Sequence, residues 1–185
     1  MNLVKLSDYD IKSINYYWRR RANFNITESE LATVGVTSDD ALVDVSLIPK
    51  LQQANELLQP MGYELIVKDA YRSKELYDLV RRKRYENDGQ EVTDQTLSKT
   101  RMPHATGLAV DVNLVDLATG AEIETWDKAD WPDGIFVGFY KDKTDATSQR
   151  YQQLQDLLID VMQKAGFKSG PKNEFHHFEL PQNEL

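Results

Sequence analysis

The sequence predicts an α+β fold, and three observations carry that prediction. Segments with helical apolar spacing and segments with strand-like alternation are interleaved along the chain. One strand segment, residues 108–115, places apolar residues on one face and an aspartate and an asparagine on the other, so it belongs at a core that also faces a site. The chain has 185 residues and a 41% apolar share. It shows no repeat, low-complexity tract or linker, which predicts a single domain over residues 1–185 with its own core.

Each element rests on a local pattern. Leu47, Ile48, Leu51, Ala54, Leu57 and Leu58 recur at helical spacing, and Pro60 closes that segment. After Gly62, residues 63–68 are short and β-prone and predict a strand. Ser73 can cap a second helix carrying Leu76, Tyr77, Leu79 and Val80. Asn87-Asp88-Gly89 ends it, and a polar loop is expected to about Arg101. Leu108, Val110, Val112 and Leu114 alternate against Ala109, Asp111 and Asn113 as a strand, and Thr119-Gly120 reads as a turn. Residues 125–145 are aromatic and acidic without a clear period. A long helix follows from about Thr147 to Ala165, with Leu154, Leu157, Leu158, Val161 and Met162 inward and Gly166 just past its end. A last short strand spans about Glu174 to Leu180.

Composition narrows the chemistry. Without cysteine, disulfides and thiolate metal sites are impossible, and any metal must use His, Asp or Glu. The formal charge of −8 argues against a nucleic-acid partner, which needs clustered Lys and Arg. The one basic run, Arg81-Arg82-Lys83-Arg84, reads as the solvated C-terminal end of a helix. Residues 1–10 have no apolar signal-peptide stretch, and no segment approaches a membrane span, so the expectation is a cytoplasmic protein without a membrane partner.

All three histidines fall in two segments, His104-Ala105-Thr106-Gly107-Leu108-Ala109-Val110-Asp111 and Glu174-Phe175-His176-His177-Phe178. Asp111, flanked by Val110 and Val112, needs a cation or several donors to offset desolvation of its charge. A zinc ion supplies that partner, and hydrolytic zinc sites take three His or carboxylate ligands and leave a fourth position for water. His104, Asp111 and one of the pair His176/His177 make such a set. Glu174 is spaced to act as the base that metal-assisted peptide hydrolysis requires. Arg72, at the end of the 63–68 strand, offers a fixed cation for an oxyanion, or else pairs at the surface with Asp69 or Glu75.

Three motifs together, Asp69-x-Tyr71-Arg72, His104-x-x-Gly107-x-Ala109-x-Asp111 and Glu174-x-x-His177, resemble the D-alanyl-D-alanine metallopeptidases. That family includes vancomycin-resistance dipeptidases and D,D-carboxypeptidases and shares its fold with the hedgehog signalling domain. The resemblance spans roughly residues 60–180. It implies a central, mostly antiparallel sheet flanked by helices, one Zn2+ per chain held by His104, Asp111 and His177, Glu174 as base, and Arg72 as the transition-state cation. It also implies a small peptide substrate of the D-Ala-D-Ala type, or a related cell-wall peptide. His176 stands where the family usually has an aromatic, and strand alternation is expected to turn it away from His177 into a supporting place. Dipeptidases have a Met-Gly-x-x-Phe-Asp segment whose Asp binds the substrate ammonium; of it only Asp130 remains here. Met102 stands where they have Ser, and Ser73 where they have Pro. The rival implied by the same fold is a zinc-stabilised binding module, which has no need of Glu174.

Overall fold

A five-stranded sheet organises the chain, and the alternation read from the sequence builds its central strand. The structure, a computed structural model, describes residues 1–97, 101–170 and 173–181. In chain order its elements are β1 (Leu3–Lys5), β2 (Lys12–Ser13), α1 (Tyr16–Arg20), α2 (Glu28–Thr33), β3 (Leu42–Asp44), α3 (Ile48–Leu58), β4 (Tyr63–Asp69) and α4 (Lys74–Asp88). They continue as α5 (Gln90–Thr96), β5 (Ala109–Asp116), α6 (Ala146–Lys164), β6 (Lys168–Ser169) and β7 (His177–Glu179). The sheet order is β2-β4-β5-β7-β6; β2 pairs parallel to β4, and the other three pairings are antiparallel. β1 and β3 form a separate antiparallel pair. No helix among the described residues is long and apolar enough to cross a membrane.

One sheet face makes the core. Leu65 and Val67 of β4, Val110, Val112 and Leu114 of β5 and Phe178 of β7 are buried there with Leu51, Ala54 and Leu58 of α3 and Leu158, Val161 and Met162 of α6. Each such side chain stabilises the fold by about 1.5–3 kcal/mol when fully buried. Period-two geometry then sends Asp111 and Asn113 to the opposite face, and Asp111 is directly paired with His177 across the β5–β7 ladder. The functional face is therefore a consequence of the core face.

The helix boundaries follow the signals in the sequence. Ser73 caps α4, its hydroxyl accepting from Leu76 N–H at 3.1 Å. Asp145 caps α6 by accepting from Ser148 N–H at 2.8 Å, and Gly166 follows with a φ of 96° that favours glycine. A second cluster, Tyr17, Ile26, Leu31, Leu76, Tyr77, Leu79, Val80 and Leu97, packs α1 and α2 against α4.

Three expectations need correction. The polar stretch after Gly89 is not all loop, because α5 forms there with Thr93 N–H and hydroxyl both donating to the Gly89 carbonyl; residues 98–100 lie outside the described residues. The basic run is not a solvated helix end. It lies inside α4, where Lys83 pairs with Glu30 at 2.7 Å and Arg84 with Asp88 at 3.3 Å, so α2 and acidic neighbours partly cover it while Arg82 stays exposed. The final strand is shorter than expected, because residues 175–176 form a turn before β7.

Candidate metal centre

Asp111 is the pivot of the site. Its Oδ1 lies 3.5 Å from His104 Nε2 and 2.7 Å from His177 Nδ1, and one ligand atom from each of the three residues lies within 4.8 Å of the others. His104 comes from a short 3-10 turn, Pro103–Thr106, closed by Gly107 at a φ of 73°. There a Cβ would meet Leu3, Met1 and the Asp44 backbone at 3.2–3.3 Å, so the turn fits tightly beneath β1 and β3. Gly107 carbonyl accepts from Asp44 N–H at 2.9 Å, and Arg72 N–H donates to the His104 carbonyl at 3.2 Å. The buried His104 ring donates from Nδ1 to the Ala70 carbonyl at 2.8 Å, which leaves its Nε2 lone pair aimed at Asp111.

The electrostatics favour a cation at this point. Burial opposes the charge of Asp111, but the His104 and His177 imidazoles outweigh it and hold the carboxyl well below its usual range. Burial likewise opposes a charged His177, yet hydrogen bonds to Asp111 and Glu179 raise it to about 10. Two imidazoles and a carboxylate thus converge around a place where positive charge is stabilised. Zinc bonds of about 2.0–2.1 Å at tetrahedral angles put ligand atoms roughly 3.3 Å apart, so the His104–Asp111 spacing already suits the ion, and His177 needs only a small opening. The donor set fits a divalent metal.

Glu174 precedes His177 by one turn. His177 N–H donates to the Glu174 carbonyl at 3.4 Å, and Glu174 itself is bridged to Phe136 on the other side. The three-residue spacing seen in the sequence is therefore one turn that places the half-buried Glu174 just before β7. His176 sits within this turn, stacked edge-on against Phe175 with ring centroids 5.2 Å apart, and is absent from the ligand cluster. The turn, rather than strand alternation, separates it from His177.

Arg72 is placed differently from a surface arginine. It is 6% exposed, ion-paired with the equally buried Asp69, and its guanidinium lies 4.8 Å and 4.4 Å from the Tyr17 and Tyr77 ring centroids. Its Nε is buried without a hydrogen-bond partner. Asp69 is the cross-strand partner of Asp111, so this ion pair backs directly onto the metal cluster. Asp130 is engaged by Tyr140 hydroxyl at 2.8 Å and Lys143 Nζ at 3.2 Å. It packs against Gly134, in the loop whose Phe136 bridges Glu174, and so lies on the segment flanking Glu174.

Two contributors escaped the sequence reading. Glu179 Oε1 lies 3.1 Å from His177 Nε2; strand alternation could have found it, since residue 179 must share a face with 177. Gly170 is pressed onto the His177 ring, where a Cβ would sit 2.1 Å from Cδ2. No local pattern signals that contact. Beside these residues a cleft of ≈ 650 Å³ runs between the 101–108 segment and β6–β7, with Arg101, Lys168 and Glu179 in its lining.

Two buried histidines and a half-buried aspartate converge as a candidate metal-binding cluster, with Glu174 one turn before His177. Residues 10–185 match the M15 peptidase family, described as D-ala-D-ala dipeptidase. The chain belongs to that family. No curated protein sequence matches it at a significant level. The fold is shared with the LD-carboxypeptidase LdcB, whose structure was described for peptidoglycan recognition, at 16% identity and a TM-score of 0.50. That likeness covers 75% of this chain and 59% of LdcB, so the chain spans well under two thirds of that relative. The vancomycin-resistance D,D-pentapeptidase VanY from a VanB-type cassette, solved with Zn(II), has 17% identity and a TM-score of 0.49, covering 77% and 75% of the two chains. DacB from Streptococcus pneumoniae D39 has 16% identity and a TM-score of 0.49, covering 77% and 68%.

Proposed function

We propose that this chain is a zinc peptidase that cleaves a short peptide of the D-Ala-D-Ala type or a related peptidoglycan peptide. The observation that carries the reading is the joint placement of His104, Asp111 and His177 around one point with Glu174 a single turn away. His104 would hold the ion through Nε2, Asp111 through Oδ1 and His177 through Nδ1. When bound, zinc polarises the scissile carbonyl and lowers the pKa of water toward neutrality. Glu174 takes the proton from the attacking water and returns it to the leaving amine, which places the proton on the nitrogen as the C–N bond breaks. Arg72, a cation fixed by Asp69 and two tyrosine rings, favours the negative charge that develops on the substrate oxygen. Asp130 attracts the substrate ammonium in exchange for its contact with Lys143. The family's description supports the D-Ala-D-Ala class, and the shared fold of a peptidoglycan-recognising carboxypeptidase supports the wider one.

The test is release of free alanine from D-Ala-D-Ala, set beside N-blocked and longer cell-wall peptides, in wild type and in Glu174→Gln. Cleavage of at least one of these D,D-peptides is expected, with turnover falling ~10²–10⁴ in Glu174→Gln while zinc and fold are retained. Near-normal turnover in Glu174→Gln would remove the base role. Cleavage of none of these peptides by zinc-loaded wild type would remove the substrate class.

A further inference from the structure

The two histidines of the cluster present opposite nitrogens to Asp111, and each outward nitrogen has its own acceptor. His104 points Nε2 inward and donates from Nδ1 to a backbone carbonyl at 2.8 Å. His177 points Nδ1 inward, and its Nε2 lies 3.1 Å from Glu179 Oε1. A histidine binds a metal through one nitrogen only if the other carries the proton, so the acceptor facing the outward nitrogen decides which tautomer is present. For His104 that acceptor is neutral. For His177 it is a carboxylate, which favours the proton on Nε2 more strongly and makes Nδ1 a better donor.

Glu179 is itself held. Its Oε2 accepts from Arg101 Nη2 at 2.6 Å, and its side chain is 20% exposed. It lies two residues after His177 on β7, opposite Ala109 of β5 and Lys168 of β6, so the strand ladder fixes its backbone on both sides. Arg101, Glu179, His177 and Asp111 form a continuous relay of charge-assisted hydrogen bonds from the cleft to the cluster.

We infer that Glu179 is a positioning residue for the metal centre: with Arg101 setting its rotamer, it keeps the His177 proton on Nε2 and so commits Nδ1 to zinc. This rests on the zinc reading above. Glu179 touches neither substrate nor the reacting atoms and acts only through His177. Replacing its carboxylate leaves the His177 ring free to take the other tautomer or to rotate, and the cost falls on metal affinity before it falls on the fold.

The test is the zinc dissociation constant of the full chain, measured by competition with a chromophoric chelator, together with 15N NMR of the imidazole rings in the zinc-loaded protein. Wild type is expected to show His177 protonated at Nε2 and metal-bound at Nδ1. Glu179→Ala should bind zinc about 10–100-fold more weakly. Glu179→Gln, which keeps the volume and a neutral acceptor, should recover part of that loss, a rescue that simple packing at this position does not predict to depend on an acceptor. Melting of the chelator-treated variants identifies any that fail to fold, and the NMR on wild type needs no variant. Zinc bound by wild type, with Glu179→Ala within threefold of it, overturns the role of Glu179 alone. So does His177 ligating through Nε2 in wild type. Wild type that takes up no zinc overturns the metal reading and this inference together.

Discussion

Replacing Gly170 by alanine should break the metal centre without touching a ligand. A Cβ at residue 170 would lie 2.1 Å from His177 Cδ2 and 2.9 Å from Nε2. Ordinary carbon–carbon contact begins at about 3.5 Å, so the ring must retreat by roughly 1.4 Å or the backbone must part. The backbone resists, because Gly170 N–H donates to the His177 carbonyl at 3.1 Å in the hydrogen-bonded edge of the sheet. Metal sites tolerate ligand displacements of about 0.2 Å, several-fold less than this clash imposes. The expected result is a zinc affinity at least ~100-fold weaker, with a stability loss of about 1–3 kcal/mol from overpacking. Gly35→Ala is the matched control. Its φ of 82° makes alanine strained, yet nothing lies within 4 Å of the added atom, so it should lose about 1–2 kcal/mol and keep its zinc affinity. Chelator competition reports affinity, and urea unfolding of the chelated proteins reports stability. Zinc binding by Gly170→Ala within threefold of wild type would refute the reasoning.

Arg72→Ala should lower stability by ~3–5 kcal/mol, because it leaves the buried Asp69 charge without its partner. If Arg72 also favours the transition state, kcat measured below the variant's melting range should fall by ~10²–10³ with little change in KM; a normal kcat beside a lowered melting temperature makes Arg72 purely structural. Glu30 closes a capping box on α2 and pairs with Lys83, and the Lys83 hydrogen bond, then the Thr27 N–H, hold its pKa at about 2 against an ordinary 4.5. A depressed carboxyl contributes stability above its unfolded pKa and loses it as pH falls through the folded one. The melting-temperature gap between wild type and Glu30→Gln should therefore be full above about pH 5 and close as pH falls toward 2; a gap that does not vary with pH contradicts the pairing.

The parts of the fold legible in the sequence are those whose residues are half buried. α3, β4, α4, β5 and α6 each set a core stripe against a polar face, and that contrast is what periodicity detects. β2 and β6 are two residues each, too short to hold a period, and exist because β4 and β7 offer them open edges. The elements before Leu47 carry no period of their own: α1 and α2 rest on caps and on packing against α4, and β1 and β3 rest on each other. In the site, the meeting of His104, Asp111 and one of the pair His176/His177 was legible because a charged residue in an apolar strand calls for a partner and the sequence has only three histidines; the choice of His177 came from the family resemblance. Glu174 was named from its spacing to His177, and the turn that carries that spacing was not legible. The burial of Arg72 between Tyr17 and Tyr77 was invisible, since Tyr17 is distant in sequence and only the packing of α1 on α4 brings it there. Gly170 is near His177 in sequence, but no local pattern marks the β6–β7 pairing that presses it onto that ring.

The central claim is that His104, Asp111 and His177, and not His176, hold one zinc ion. Elemental analysis of protein purified without chelator tests it directly. The account predicts about one zinc per chain in wild type and in His176→Ala, and close to none in His177→Ala. Zinc retained by His177→Ala and lost from His176→Ala would contradict it.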